Sequence, residues 1–152
     1  MPLYKAKMAF TDIIKLKKYL PVTTIEQLTD DHKIGKIVTE VVDAAIEQAH
    51  DMLSAWINGR YSIDMTYAEC LTTAPFLSDL ETRLAVYCLY KRKLYATMPE
   101  AITKDYESCI STLRMIQKGE QSPYTSGEPE IIVCNKTDDS RTYSDSKWSQ
   151  YD

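Results

Sequence analysis

From Val38 to Trp56 apolar side chains recur at steps of three and four: Val38, Val41, Val42, Ala45, Ala49, Met52, Leu53 and Trp56. That spacing keeps one face of an α-helix apolar. It predicts a helix over 37–58 of about six turns, roughly 33 Å long. Glu40, Asp43, Glu47, His50, Asp51 and Asn58 fall on the other side, which reads as a solvated face. Gly59 follows, a residue free to turn left-handed where the helix must stop. Burying one large apolar side chain contributes about 1.5–3 kcal/mol, so this stripe is expected to organise the chain.

The same reading extends to both sides. Residues 1–10 read as an extended arm. Thr11 or Asp12 can cap a short helix from Ile13 to Leu20 that Pro21 ends. A second turn, Ile25 to Leu28, opens at Thr23 or Thr24, and Thr29-Asp30-Asp31 is a polar connection. Residues 60–77 read as a long connection with Pro75 near its end. Ser78 and Glu81 then stand at capping-box spacing, which starts a helix at 79 that runs to about Thr97. Lys91, Arg92 and Lys93 occupy its last turns, where cations suit the helix dipole. Pro99 and Glu100 open another helix, with Ile102, Tyr106, Cys109, Ile110, Leu113 and Ile116 on one face and Lys118-Gly119 at its close. The expected fold is mainly α. It is a small bundle of three long helices with short N-terminal helices before them.

After Gly119 the composition shifts to Ser, Thr, Asp, Pro and Tyr, with one strand-like run from Ile131 to Cys134. The expected organisation is an arm over 1–10, a helical domain over 11–119 and an extended C-terminal arm with a short strand over 120–152. The arm lacks the apolar density to fold as a unit. It does carry Ile131, Val133, Arg141, Tyr143, Trp148 and Tyr151, side chains suited to docking on another surface.

The 152 residues suffice for one domain with a real core. No apolar run approaches a membrane span and no secretory leader is evident, so the chain is expected in the cytoplasm where it is made. Cysteines at 70, 88, 109 and 134 form no close pair and sit near neither histidine in sequence, which favours buried free thiols over zinc. Charge refines the picture. The chain carries −4 overall, yet residues 1–22 hold five lysines against Asp12, while residues 119–152 hold seven acids against three bases. A basic head and an acidic tail would suit copies that meet head to tail, but charge alone favours two solvated, unrelated ends.

Candidate chemistry is sparse. There is no phosphate-binding glycine loop, nucleophile elbow or zinc-protease helix, and Asp30-Asp31-His32 lacks the further ligands a metal needs. The expectation is a protein without enzymatic activity and without cofactor or metal. Lys15, Lys17 and Lys18 could attract phosphate, but from these residues alone a solvated helix face is the favoured reading. Tyrosines lie outside the helices at several places, Tyr61 among them, and are frequent in interfaces.

Four pieces together resemble the phage Mu-like head–tail connector family. They are Ile25-Glu-Gln-Leu-Thr-Asp30, the 37–58 helix running into Gly59-Arg60-Tyr61, the Pro75 connection into Leu84-Ala-Val-Tyr87-Cys-Leu-Tyr90, and the helix around Tyr106 to Leu113 ending at Lys118-Gly119. The Gly-Arg-Tyr turn is the most specific. Ser140-Arg141-Thr142-Tyr143-Ser144, Trp148 and Tyr151 resemble the family's C-terminal extension. The chain departs from the family where Ser62-Ile63-Asp64 replaces a common proline. The resemblance implies a virion neck protein, assembled in the host cytoplasm as a dodecameric ring. A portal protein would lie above it and a tail-terminator or stopper protein below. Packaged double-stranded DNA would pass through the lumen without sequence preference, and no membrane is involved. Interface residues on that reading are Lys15, Lys17, Lys18, Arg60, Tyr61 and the arm residues named above. The alternative class is a helical DNA-binding regulator, which needs a short inter-helix turn and a basic recognition face.

Overall fold

A computed structural model describes residues 9–61, 65–93 and 97–124. The described residues form six helices: α1 (Ile13–Tyr19), α2 (Val22–Thr29), α3 (Thr39–Ile57), α4 (Tyr67–Thr73), α5 (Pro75–Arg92) and α6 (Glu100–Lys118). The expected strand at 131–134 and the C-terminal arm beyond Tyr124 lie outside them.

The three long helices run alternately. His50 of α3 meets Glu81 of α5, while Val41 and Ala45 face Cys88 and Arg92, so the two helices are antiparallel. Tyr87 of α5 stacks on Tyr106 of α6, and Arg83 reaches Cys109, again in reversed order. Arg114 of α6 lies over Trp56, and Arg60 reaches Lys118, so α3 and α6 run the same way.

The hub is α5 and not α3, contrary to the sequence expectation. Every other helix packs against α5. Leu77, Leu80, Leu84, Ala85, Val86, Cys88 and Leu89 bury most of its circumference, and so do Ser78, Glu81 and Thr82. A helix buried nearly all round shows no clean stripe, which is why the amphipathic α3 looked dominant. In α3 the buried residues are Val42, Ala45, Ile46, Ala49, Leu53 and Ile57, while Val41, Met52 and Trp56 are only partly buried. The stripe is thus centred one column away from the expected one.

Pro75 fixes the other major difference. As the first residue of α5 it opens the helix three residues before Ser78, so Ser78 and Glu81 lie inside the helix and cap nothing. The capping box sits upstream instead. Thr66 accepts from the Glu69 amide, and Glu69 Oε2 accepts from the Thr66 amide at 2.7 Å. That box starts α4 within the stretch expected to be a connection, and α4 turns buried Cys70 towards α5.

Helix ends follow local chemistry. Asp12 caps α1 by accepting from the Lys15 amide at 2.7 Å. Pro21 ends α1 and also opens α2, which starts earlier than expected. α3 ends without a left-handed residue: Asn58 stays right-handed, and the Arg60 and Tyr61 amides both return to the Ile57 carbonyl. α5 stops at Arg92, short of the expected Thr97, and both Arg92 and Lys93 pair with Asp31. α6 closes as expected at Gly119, whose φ is 80°. The Gly119 and Glu120 amides donate to Ile116 and Met115, a Schellman closure.

Candidate functional site

Two junctions gather the polar residues of the fold. The first lies where residues 9–12 enter between α3 and α5. Glu81, 0% exposed, accepts from the Phe10 amide at 2.9 Å through Oε1 and meets His50 Nδ1 at 3.1 Å through Oε2. Ser78 Oγ donates to the Phe10 carbonyl, so both backbone groups of Phe10 are held by side chains of α5. Having donated, Ser78 Oγ accepts from Lys15 Nζ at 2.7 Å, and that ammonium also pairs with Asp79 at 2.7 Å. Thr82 gives its hydroxyl proton to the Ser78 carbonyl at 2.7 Å, which leaves Thr11 as donor in the 2.8 Å Thr11–Thr82 bond. The Phe10 ring stands edge-on to His50 at 5.1 Å. His50, expected on a solvated face, is instead half-buried at the centre of this cluster.

The electrostatics follow from burial. Desolvation pushes the Glu81 carboxyl above its usual range, against the opposing effect of His50 and the Phe10 amide. The hydrogen bond to Glu81 holds the His50 proton above the ordinary imidazole range, against burial. Ser54 Oγ lies 3.4 Å from His50 Nε2, so hydroxyl, imidazole and carboxylate stand in sequence. Acyl-transfer enzymes use that order. Ser54 sits within α3, where amides are committed to i−4 carbonyls. What the cluster does is fasten residues 9–12 to the bundle and hold a proton there.

The second junction joins two of the sequence pieces quoted above, Gly59-Arg60-Tyr61 and Lys118-Gly119. Arg60 Nη1 donates to the Lys118 carbonyl at 3.4 Å, placing a cation at the carbonyl end of α6. A Cβ at residue 119 would lie 2.2 Å from Arg60 Nη2, so glycine there serves both the backbone turn and the approach of the guanidinium. Arg60 also stands 5.9 Å over the Tyr61 ring. Tyr61 is 3% exposed and meets Tyr124 edge-on at 6.1 Å. Residues 119–124 thereby fold back on the end of α3, with Pro123 buried beside them.

The residues expected at interfaces therefore have different fates. Lys15 is engaged with α5, whereas Lys17 and Lys18 are exposed. Arg60 and Tyr61 hold the second junction, and the single chain already covers Tyr61. Ile131, Val133, Arg141, Tyr143, Trp148 and Tyr151 lie outside the described residues. Cys70, Cys88 and Cys109 are free and buried, and burial pushes the Cys70 thiol up to about 12. Asp30, half of the tempting acidic pair, closes its own loop: its carboxylate accepts from His32 at 3.2 Å and Gly35 at 2.7 Å. Such amide donors, that of Ile34 foremost, hold the Asp30 carboxyl below the usual range. Among the described residues no cluster could hold a metal ion. An open groove of about 510 Å³ between α3 and α5 has Val41, Ala44, Ala45 and Cys88 as its apolar floor.

Sequence reasoning missed the Glu81–His50 pair. Its one signal was Pro75, which marks a helix start and so moves Glu81 into a helix interior.

No curated protein matches the chain. The family model described as Bacteriophage Mu, Gp36 matches residues 11–130, from the first residue after Phe10 through all six helices and beyond the second junction. The chain belongs to the bacteriophage Mu Gp36 family.

Proposed function

We propose that the chain is a structural protein of the phage particle, without catalytic activity, that acts as a head–tail connector. Copies assemble into a ring beneath the portal, join the filled head to the tail, and let DNA pass through the lumen. The observation that carries this reading is the match to a bacteriophage Mu family over 11–130. Two further features support it. The buried Glu81 and Ser78 of α5 are engaged in fastening the chain's own segments. The ends of the chain carry opposite charge, which suits a contact repeated from copy to copy.

Mass measurement of the purified protein, alone and mixed with portal protein, tests the reading. A discrete ring mass, or co-migration with portal as one ring, is expected. A chain that stays monomeric with and without portal at every concentration overturns it. Gold labelling of intact particles then tests the position, expected between head and tail.

A further inference from the structure

We infer that the outward face of α1, with the first residue of α2, is the docking surface for the acidic C-terminal segment of a second copy; this rests on the ring reading above. Ile14 is 65% exposed and Val22 is 50% exposed, although both are large aliphatic residues. Leu16 and Leu20 point into the core, and Lys15 is tied to Ser78 and Asp79. The opposite side of α1 therefore presents Ile14, Lys17 and Lys18 together, because residues three and four apart share a face. Neither lysine has an ion-pair partner among the described residues.

The chemistry of this face selects its occupant. Exposed lysines alone would suit phosphate, but lysines one turn from the bare side chain of Ile14 suit a partner that is itself both apolar and acidic. Residues 125–152 fit that description. They hold six acidic residues against three basic ones, and Glu128 and Glu130 directly precede Ile131-Ile132-Val133. Twenty-eight residues follow Tyr124, where the described chain ends packed against Tyr61. At about 3.3 Å per extended residue, the seven residues from 125 to 131 are long enough to span roughly 23 Å. A contact that joins one surface of a copy to a different surface of the next is heterologous, and such contacts form a ring when the rotation between copies closes. The segment contributes acids for Lys17 and Lys18 and aliphatic side chains for Ile14 and Val22.

Cys134, directly after the apolar run, provides the reporter, since the other three cysteines are buried. Full-length Ile14→Cys/Cys134→Ser protein is mixed with unmodified protein under oxidised glutathione, and disulfide-linked pairs are identified by peptide mass. A 14–134 bond between the two chain types is expected, falling several-fold when Lys17→Glu and Lys18→Glu are added to the first chain. Ile14 is exposed, so its replacement leaves the fold intact, and an unchanged melting curve verifies that. Absence of the mixed bond overturns the inference, as does a 14–134 bond that forms within one chain of an Ile14→Cys variant keeping Cys134 and not between the two chain types. It is equally overturned if the charge-reversed chain loses salt-dependent retention on DNA while no mixed bond forms, which would assign the face to phosphate. Ring mass on the same samples reports separately: rings without the bond sink this inference and leave the connector reading standing.

Discussion

His50 Nδ1 and Glu81 Oε2 lie 3.1 Å apart and join the two helices on which the bundle rests, α3 and α5. The hydrogen bond to Glu81 raises the His50 proton affinity, while burial raises that of Glu81. Both groups therefore bind protons more tightly folded than unfolded, and stability falls as pH rises. The contribution of His50 is complete below its ordinary value of 6.5 and is lost as pH climbs through the raised folded value. Melting temperatures measured from pH 5 to 9 should show this decline, and His50→Gln should flatten it. A decline of the same steepness in His50→Gln would place the sensitive group elsewhere. Glu81→Ala should cost about 3 kcal/mol, the low end for breaking a buried pair, because His50 retains some access to water.

Gly119 combines a positive φ with the approach of Arg60. Gly119→Ala should cost about 1–2 kcal/mol from the left-handed backbone alone, and more because the guanidinium must move. In an Arg60→Ala background that extra part should vanish. A double-mutant cycle by urea unfolding measures it, with coupling above about 0.5 kcal/mol expected for residues in contact. Strict additivity would refute the packing.

Trp56 and Leu53 neighbour one another on α3 but differ in burial: Leu53 is fully enclosed, and Trp56 is partly covered with Arg114 5.9 Å from its ring. Leu53→Ala should cost about 3–4 kcal/mol and Trp56→Ala about 2 kcal/mol, less than the roughly 3–5 kcal/mol of a core aromatic. Denaturant midpoints decide the order. A larger loss at Trp56 would return it to the core that its spacing in sequence suggests.

The Thr66–Glu69 box is a local device for a seven-residue helix. Thr66→Ala should cost about 1 kcal/mol, and Thr66→Gly only a few tenths. Amide exchange across Tyr67–Thr73 should quicken in Thr66→Ala and leave α6 unaffected. Equal quickening in both helices would mean that α4 unfolds only with the whole domain.

What was legible in the sequence was whatever a single helix face decides. α6 was read correctly: Cys109, Leu113 and Ile116 are buried, Ile102, Tyr106 and Ile110 are packed against them, and Gly119 closes the helix. The existence of α1, α2 and α3 was equally readable, since each leaves one side in water. Two stretches match the same capping pattern, Thr66 to Glu69 and Ser78 to Glu81, and pattern alone does not rank them. Packing does, because α5 is surrounded and must bury Glu81 against a partner supplied by α3. The interface residues divide in the same way. Lys17 and Lys18 are exposed with no ion-pair partner among the described residues, whereas Lys15 finds Asp79, which lies 64 positions away and is visible only in three dimensions.

The bond between Phe10 and Glu81 spans 71 positions of chain. Its two partners are made far apart in time as the polypeptide is synthesised, and the loop they close must wait for α3 and α5 to dock. Until residue 81 has emerged, the Phe10 backbone has no partner from α5 and that segment stays outside the bundle. On loop-closure grounds the entry of residues 9–12 is expected to follow the docking of α3 and α5, whose contacts are closer in sequence. An addition ahead of Ala9 leaves this bond intact, whereas a deletion reaching Phe10 strands a carboxylate that the completed bundle has already removed from water.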